Sequence, residues 1–576
     1  MQSKIVKTLV LSVLILFLLT GVAAAQEWVV TAPGDVDKVN LSMVNLDKMT
    51  LREAIAKAGS GDTIVFSENI SAVTVTYNTL NVSKDLTIGG NTKVTVARDS
   101  GPVTQEFSVF TVSGGDVVFK QLSIENGYLM NGTGGAVTID RANVTFESCT
   151  IQRNKADLGG GVYAANSSNV KFVSTSVFKN NATTDGSAIY LKGGSVELQN
   201  SVIDGHSDKY NVIKVEQGKI IGSQSRIINN AVTSKGSPLN ASAGTTVEFR
   251  NSTFSNNTAT EGAGITSYGA LLVENCVFNE GKTSGSGGGI LLENGSSGNI
   301  RYSIFSNATV ADDGGGIHIA SNASATIDTC TFLNNLANYG GAFFNRGTVN
   351  ANAITAVNNT AKFYGGAIAF WNDANSTLTK SAIAGNIAKS NNTAKDVGGG
   401  GLNVSNSQAT LSNNVIVGNT DPRKVDFGEL NSTVKSGGNN LVGTYHGNGR
   451  FPIDSTDVSG IQLADVFVIE NDLPAVTKST GHTAGYDKVP VYTIALNSSA
   501  DNPAASILGG ANQTPTPEPP EENETNQTPP EPDGVPPESG LKWLVYGAII
   551  VILLIVVVIG IVAFLKYRQK NQYKFG

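Results

Sequence analysis

An all-β parallel β-helix is the fold class this sequence predicts, and three observations predict it. A glycine-rich tetrapeptide recurs about every 26 residues, short runs with alternating apolar residues fill each period, and Gly, Asn and Ser separate those runs. Nothing in the repeat region sustains a helical period, so strands carry the pattern.

The glycine marker reads GGAV from Gly134, GGGV from Gly159, GSAI from Gly186, GSPL from Gly236 and GAGI from Gly262. It continues as GGGI from Gly287, GGGI from Gly314, GGAF from Gly340, GGAI from Gly365 and GGGL from Gly399. The steps are 25, 27, 50, 26, 25, 27, 26, 25 and 34 residues. The 50 is a doubled period hiding a degenerate YNVI at Tyr210, and the 34 holds a loop insertion, KSNNTAKD. A second marker runs in phase, an apolar residue shortly before Asn. It reads IQRN from Ile151, FKNN from Phe178, IINN from Ile227, FSNN from Phe254, FLNN from Phe332, IAGN from Ile383 and IVGN from Ile416.

Three short strands and three turns per period describe one coil of a parallel β-helix. Strand alternation turns Ile317, Ile319, Ile327 and Phe332 into a shared apolar interior. Glycine supplies the positive φ of the tight corners. The asparagines are expected to stack as an internal ladder that satisfies turn backbone groups.

The ends of a solenoid expose strand edges that need covering. Residues 26–130 hold the N-terminal cap and first irregular coils. There Thr50 and Glu53 form a capping box for a short helix with Leu51, Ala54, Ile55 and Ala58 on its apolar face, stopped by Gly59. Regular coils occupy 131–420, and 421–508 reads as C-terminal coils and cap.

Outside the solenoid, residues 1–25 read as a secretory signal peptide, with Lys4 and Lys7, an apolar run over Leu9–Leu19 and small residues Ala23–Ala25 at its end. Residues 509–540 form a Pro-rich stalk holding about half of the chain's 17 prolines. Residues 541–566 read as a transmembrane helix, since Trp543–Leu565 carries no charge and spans roughly 34 Å when helical. Lys566, Arg568, Lys570 and Lys574 follow it, which places the tail, 567–576, in the cytoplasm and the ectodomain outside a single-pass cell-membrane protein.

A net charge of −7, with no basic cluster outside the termini, argues against nucleic acid as a partner. About twenty Asn-x-Ser/Thr triplets are candidate glycan acceptors in an exported chain, among them Asn131, Asn143, Asn166, Asn251, Asn322 and Asn375.

The paired Gly-Gly-Ala/Gly-Ile and Phe-x-x-Asn markers resemble those of the chlamydial polymorphic outer-membrane proteins. LREAIAKAGSGDTIVF from Leu51 and YTIALNSSADNPA from Tyr492 resemble the two ends of large right-handed parallel β-helix surface proteins. With a signal peptide, a stalk and one C-terminal helix, the chain is similar to the adhesin-like surface proteins of methanogenic archaea. The resemblance covers residues 27–508 for the fold and implies its right-handed, pectate-lyase-like form. It also implies a surface adhesin that binds glycans or other cells non-covalently. The chlamydial group ends in an outer-membrane barrel where one apolar helix is expected here, and no LPxTG sorting signal is present. Two alternatives stand beside the adhesin: a polysaccharide lyase or hydrolase of the parallel β-helix type, and a purely structural envelope component.

Three sets of residues bear on chemistry. Cys149, Cys276 and Cys330 each precede a marker residue (Ile151, Phe278, Phe332) by two, where other coils have Ser176, Ser201, Ser225, Ser252, Ser303 and Ser381. They form one inward column that wants a small side chain. Cys276 and Cys330 lie two coils apart, roughly 9.6 Å, too far for a disulfide.

His318 follows the glycine marker in a column with Thr138, Tyr163, Tyr190, Thr266, Leu291, Phe344 and Asn403, expected to face solvent. Phe370 and Trp371 lie close by. Aromatic faces stack on sugar rings, which makes Tyr163, Tyr190, Phe344 and Trp371 candidate glycan contacts.

For catalysis, DGHSD supplies Asp204, His206 and Asp208, with Asp185 one coil before and Arg226 one coil after. The set resembles the Asp/His/Arg constellation of polygalacturonases, yet it lacks the paired Asp before the histidine and the Gly after it. No catalytic residue is therefore assigned. The pair Asp312 and Asp313 has no partner carboxylate in adjacent turns. No cofactor is expected, although a calcium ion held loosely in a turn is compatible with the sequence.

Overall fold

The computed structural model describes residues 25–101, 105–390, 398–470, 473–480, 490–499 and 502–508. Residues 1–24 of the expected signal peptide, the expected stalk, transmembrane helix and tail, and 391–396 of the insertion lie outside the described residues.

One coil shows the plan. Ile317–Ile319 (β1), Ser324–Asp328 (β2), Thr331–Leu333 (β3) and Leu336–Ala337 (β4) follow one another around the wall. Each pairs in parallel with its counterpart one coil on: Ile317 with Phe343, Ile327 with Ala351, Phe332 with Ala356, Leu336 with Thr360. Sequence patterning predicts three runs per coil. The fourth, β4, spans two residues and is too short to display any alternation.

Alternation places Ile317, Ile319, Ile327 and Phe332 in the interior, fully buried. Phe254, Phe278, Phe305 and Phe332 stack there with centroids 4.8, 4.8 and 5.0 Å apart and planes within 11° of parallel. The spacing of adjacent strands, about 4.8 Å, is also a favourable ring-stacking distance, so one inward column becomes a column of rings. Phe119, Phe146 and Phe172 repeat the device in the N-terminal coils, at 5.3 and 5.1 Å.

FKNN corrects the expected phase by one residue. Val177, rather than Phe178, aligns with Ile151 and Ile203, and Thr175, rather than Ser176, joins the column of Cys149. Phe178 takes the outward position and is half-buried.

Two polar columns line the interior corners. In the first, Asn335 Nδ2 donates to Phe305 O and to Asn359 Oδ1, both at 2.9 Å, while Asn335 Oδ1 accepts the Ala308 N–H at 3.0 Å. The series continues through Asn386 and Asn419 to Asp426. The residue before each rung has a left-handed backbone: φ is 55° at Asn229, 52° at Asn256, 56° at Asn334 and 54° at Asn358. Asparagine tolerates that conformation better than most side chains. The NN doublet of the repeat is thus an outer turn residue followed by a buried rung.

In the second column, the Cys276 N–H donates to Ser303 Oγ at 3.1 Å, and Thr175, Ser201 and Ser225 donate likewise to the next coil's serine. The column wants an acceptor as well as a small side chain. All three cysteines are free and buried. Beyond Ser381 the column passes through Asn414 and Asn440 to Asp457.

At the N-terminal end the helix Leu51–Lys57 (α1) carries the expected capping box between Thr50 and Glu53, and Leu51, Ala54, Ile55 and Ala58 are buried. At the other end, strands persist to Val458–Ser459. The chain then turns back, and Val466, Phe467, Ile494, Ala504 and Leu508 pack on Val357, Ala384, Val415 and Val417. These are outward residues of the β3 position. The C-terminal segment therefore covers the flank of the last coils.

Candidate functional site

Between Ile317 and Ile319, His318 points out of the wall. Strand register carries this position along the solenoid as Thr138, Tyr163, Tyr190, Lys214, Asn240, Thr266, Leu291, His318, Phe344, Ala369 and Asn403.

The expectation of an exposed column is corrected at its centre. Tyr190, Leu291, His318 and Phe344 are only 8, 6, 8 and 2 % exposed, and Phe370 faces the interior. At Phe344 a corner residue contributes to the burial. Tyr339 and Tyr364 immediately precede the marker glycines Gly340 and Gly365, and their rings reach over the outer column. Tyr339 lies 6.1 Å from Phe344, 5.0 Å from Phe363 and 5.1 Å from Trp371, and Tyr364 stacks on Trp371 at 6.0 Å and 15°. Beneath them His318 packs on Phe344 at 5.2 Å, with the Arg346 guanidinium 5.9 Å from the same ring.

Tyr339, Phe363, Tyr364 and Trp371 are half-exposed, so the corner presents a continuous aromatic surface. Sequence reasoning finds Phe344 and Trp371 but misses Tyr339, Phe363 and Tyr364. Their signal is NYGG and FYGG, where neighbouring coils have DDGG and GSGG.

Asp313 holds the place of Tyr339 one coil earlier. Burial, and then the Asp312 charge, push its carboxyl up to about 7, while burial pushes His318 down to about 4 and keeps the imidazole neutral. Asp313 Oδ1 and His318 Nδ1 are both buried without a hydrogen-bond partner. Both atoms lie out of reach of solvent, so they bear on the packing of this corner and not on contact with a ligand.

Nearer the N-terminus the same wall carries Tyr163 stacked on Tyr190 at 5.7 Å and 19°, with Tyr190 donating to Glu216. Asp185 lines a cleft there with Lys214, Glu261 and Tyr268.

The four residues weighed for catalysis do not meet. His206 is a rung of the asparagine ladder, 0 % exposed, with its backbone N–H and Nδ1 both against Asn230 Oδ1 at 3.1 and 3.2 Å. Asp204 accepts from Asn229 Nδ2 at 2.9 Å, Arg226 is exposed beside interior Ile227, and Asp185 accepts from Asn211 Nδ2 at 2.9 Å. A histidine sealed inside the wall reaches no substrate, which removes the acid–base reading of DGHSD. Its phase carries the signal, since His206 lies 26 residues after Asn180 and 24 before Asn230.

Among the described residues, no three His, Cys, Asp or Glu side chains converge as metal ligands would. Of the sequon asparagines, Asn131, Asn143, Asn166, Asn322 and Asn375 are exposed and Asn251 is half-buried.

Stacked parallel coils around an asparagine ladder, with an aromatic outer wall, define a parallel β-solenoid protein. The sequence matches the right-handed β-helix region family over residues 63–221 and 210–361, more than half of the 576 residues, and the chain belongs to that family. Comparison with curated proteins and with solved structures gave no match.

Proposed function

We propose that this protein is a membrane-anchored, adhesin-like surface protein that binds saccharides at the aromatic corner of its outer wall. The observation carrying the reading is the cluster Tyr339, Phe363, Tyr364 and Trp371. A pyranose ring has an apolar C–H face that lies on such rings, and hydroxyls that seek fixed polar partners. The signal-peptide and transmembrane patterns of the sequence support display outside the cell, anchored by 541–566.

Incubating the purified protein with pectins, alginates and host glycans tests the function. Retention of an intact glycan, lost in Trp371→Ala and Tyr339→Ala, is the expected result. Shortened products would identify a lyase or hydrolase, and no interaction with any of them would leave a structural envelope component. Protease treatment of intact cells should release the solenoid and leave the tail protected.

A further inference from the structure

The N-terminal part of the same wall is built from different chemistry. A cleft of about 440 Å³ is lined there by Asp185, Lys214, Asn240, Glu261 and Tyr268. Tyr190, stacked on Tyr163, stands beside Asp185 and Glu216 at one end. Tyr268 donates to Glu293 at 3.5 Å at the other.

Its charges are not settled internally. Lys214 Nζ donates to Asn240 Oδ1 at 2.6 Å instead of forming an ion pair, and Lys235 is exposed on the lip. Among the described residues, the half-buried Glu261 carboxylate has one hydrogen bond, from Asn240 Nδ2 at 3.5 Å. A partly desolvated carboxylate with one marginal donor gains from a cation that brings both charge and N–H groups. Burial and the neighbouring Glu293 charge raise the Glu261 carboxyl above its ordinary value, and the Lys235 and Lys214 charges, neither in contact with it, only partly offset that rise.

We propose that this cleft is a binding site for an amino sugar, a saccharide ring carrying a free primary ammonium. The ammonium donates to Glu261, the ring lies against tyrosine, and hydroxyls meet Asp185 and Asn240. Tyrosine faces attract a cation as well as C–H groups, so ring and charge are served together. A neutral sugar leaves Glu261 short of charge, and an anionic one meets four carboxylates, Asp185, Glu216, Glu261 and Glu293, against two lysines, Lys214 and Lys235. The inference rests on reading the wall as a saccharide surface, yet it uses none of the aromatic-corner residues.

Calorimetric titration of the purified full chain with a glucosamine trisaccharide, its N-acetylated form and cellotriose tests it, at about pH 6, where the amine is charged. The glucosamine form is expected to bind roughly tenfold or more tightly than the N-acetylated one, because only it carries the charge. Glu261→Gln should remove that preference with an unchanged melting temperature, and Trp371→Ala should leave it intact. Equal affinity for both forms, no glucosamine binding, or a preference that survives Glu261→Gln overturns the proposal. Neutral-glycan binding insensitive to Trp371→Ala would instead count against the aromatic corner, while a glucosamine preference sensitive to Glu261 still supports the cleft.

Discussion

Asn335 gives Asn359 Oδ1 both its backbone N–H, at 3.1 Å, and its side-chain amide, at 2.9 Å. One oxygen thus satisfies two buried donors of the coil before it. Asn359→Ala strands both and is expected to destabilise the protein by about 2–3 kcal/mol, read as a lower denaturant midpoint. Asn358→Gly, at the adjacent turn position with φ of 54°, should fall within about 0.5 kcal/mol of wild type. Similar losses from both substitutions would contradict the assignment of buried rung and outer turn residue.

Phe305 sits between Phe278 and Phe332, with ring contacts on both faces. Truncation to alanine should cost about 3–5 kcal/mol. Phe178, which shares the sequence motif but faces outward, should lose under about 1.5 kcal/mol on the same change. Equal losses would reinstate Phe178 as an interior residue.

Burial pushes the thiols of Cys149, Cys276 and Cys330 up to about 12. A thiol that stays protonated and enclosed is a poor nucleophile. In the folded protein at about pH 8, an aromatic disulfide reagent should therefore leave all three unlabelled, and all three should react once denaturant is added. Cys276→Ser should be stable to within about 1 kcal/mol, since serine fills the same column at Ser252 and Ser303.

Asp313 and His318 load stability in opposite directions. Folded Asp313 keeps its proton up to about pH 7 against 3.8 for the free group, so the folded state binds more protons across that window and stability falls as pH rises through it. Folded His318 titrates at about 4 against 6.5, so the unfolded state binds more and stability rises between those values. The two slopes offset each other in the wild type. Asp313→Asn should unmask the rise from about 4 to 6.5, and His318→Phe the fall up to about 7, in urea melts taken across this range. Parallel pH profiles for all three proteins would rule out burial of this pair.

The solenoid was legible because two phase-locked markers repeat the same physical demands. Inward positions need apolar bulk at Ile317 and Phe332, corners need positive φ at Gly314 and Gly340, and rungs need an amide at Asn335 and Asn359. Residue type misled where another side chain answered the same demand. His206 meets the rung's hydrogen bonds with a ring nitrogen, and Val177 meets the apolar position beside a larger but outward Phe178. The candidate site was half legible. Alternation correctly turns His318 and Phe344 outward, but whether an outward residue sees solvent depends on Tyr339 and Tyr364 from neighbouring corners, a tertiary fact without a period. The flank covered by Phe467 and Leu508 was illegible for the same reason.

Each polar column ends on an aspartate. Asn419 donates its backbone N–H and its side-chain amide to Asp426 Oδ1, at 2.6 and 3.1 Å, and Asn440 does the same to Asp457 Oδ1 at 3.1 and 2.9 Å. An amide both receives and gives, so it can be copied from coil to coil without limit. An ionised carboxylate only receives, and nothing further can be threaded onto it. Asp426 and Asp457 are full stops in this chemical grammar. Duplicating a coil upstream lengthens the sentence and leaves its punctuation untouched, so the reach of such a molecule can change over generations without its ending being reinvented.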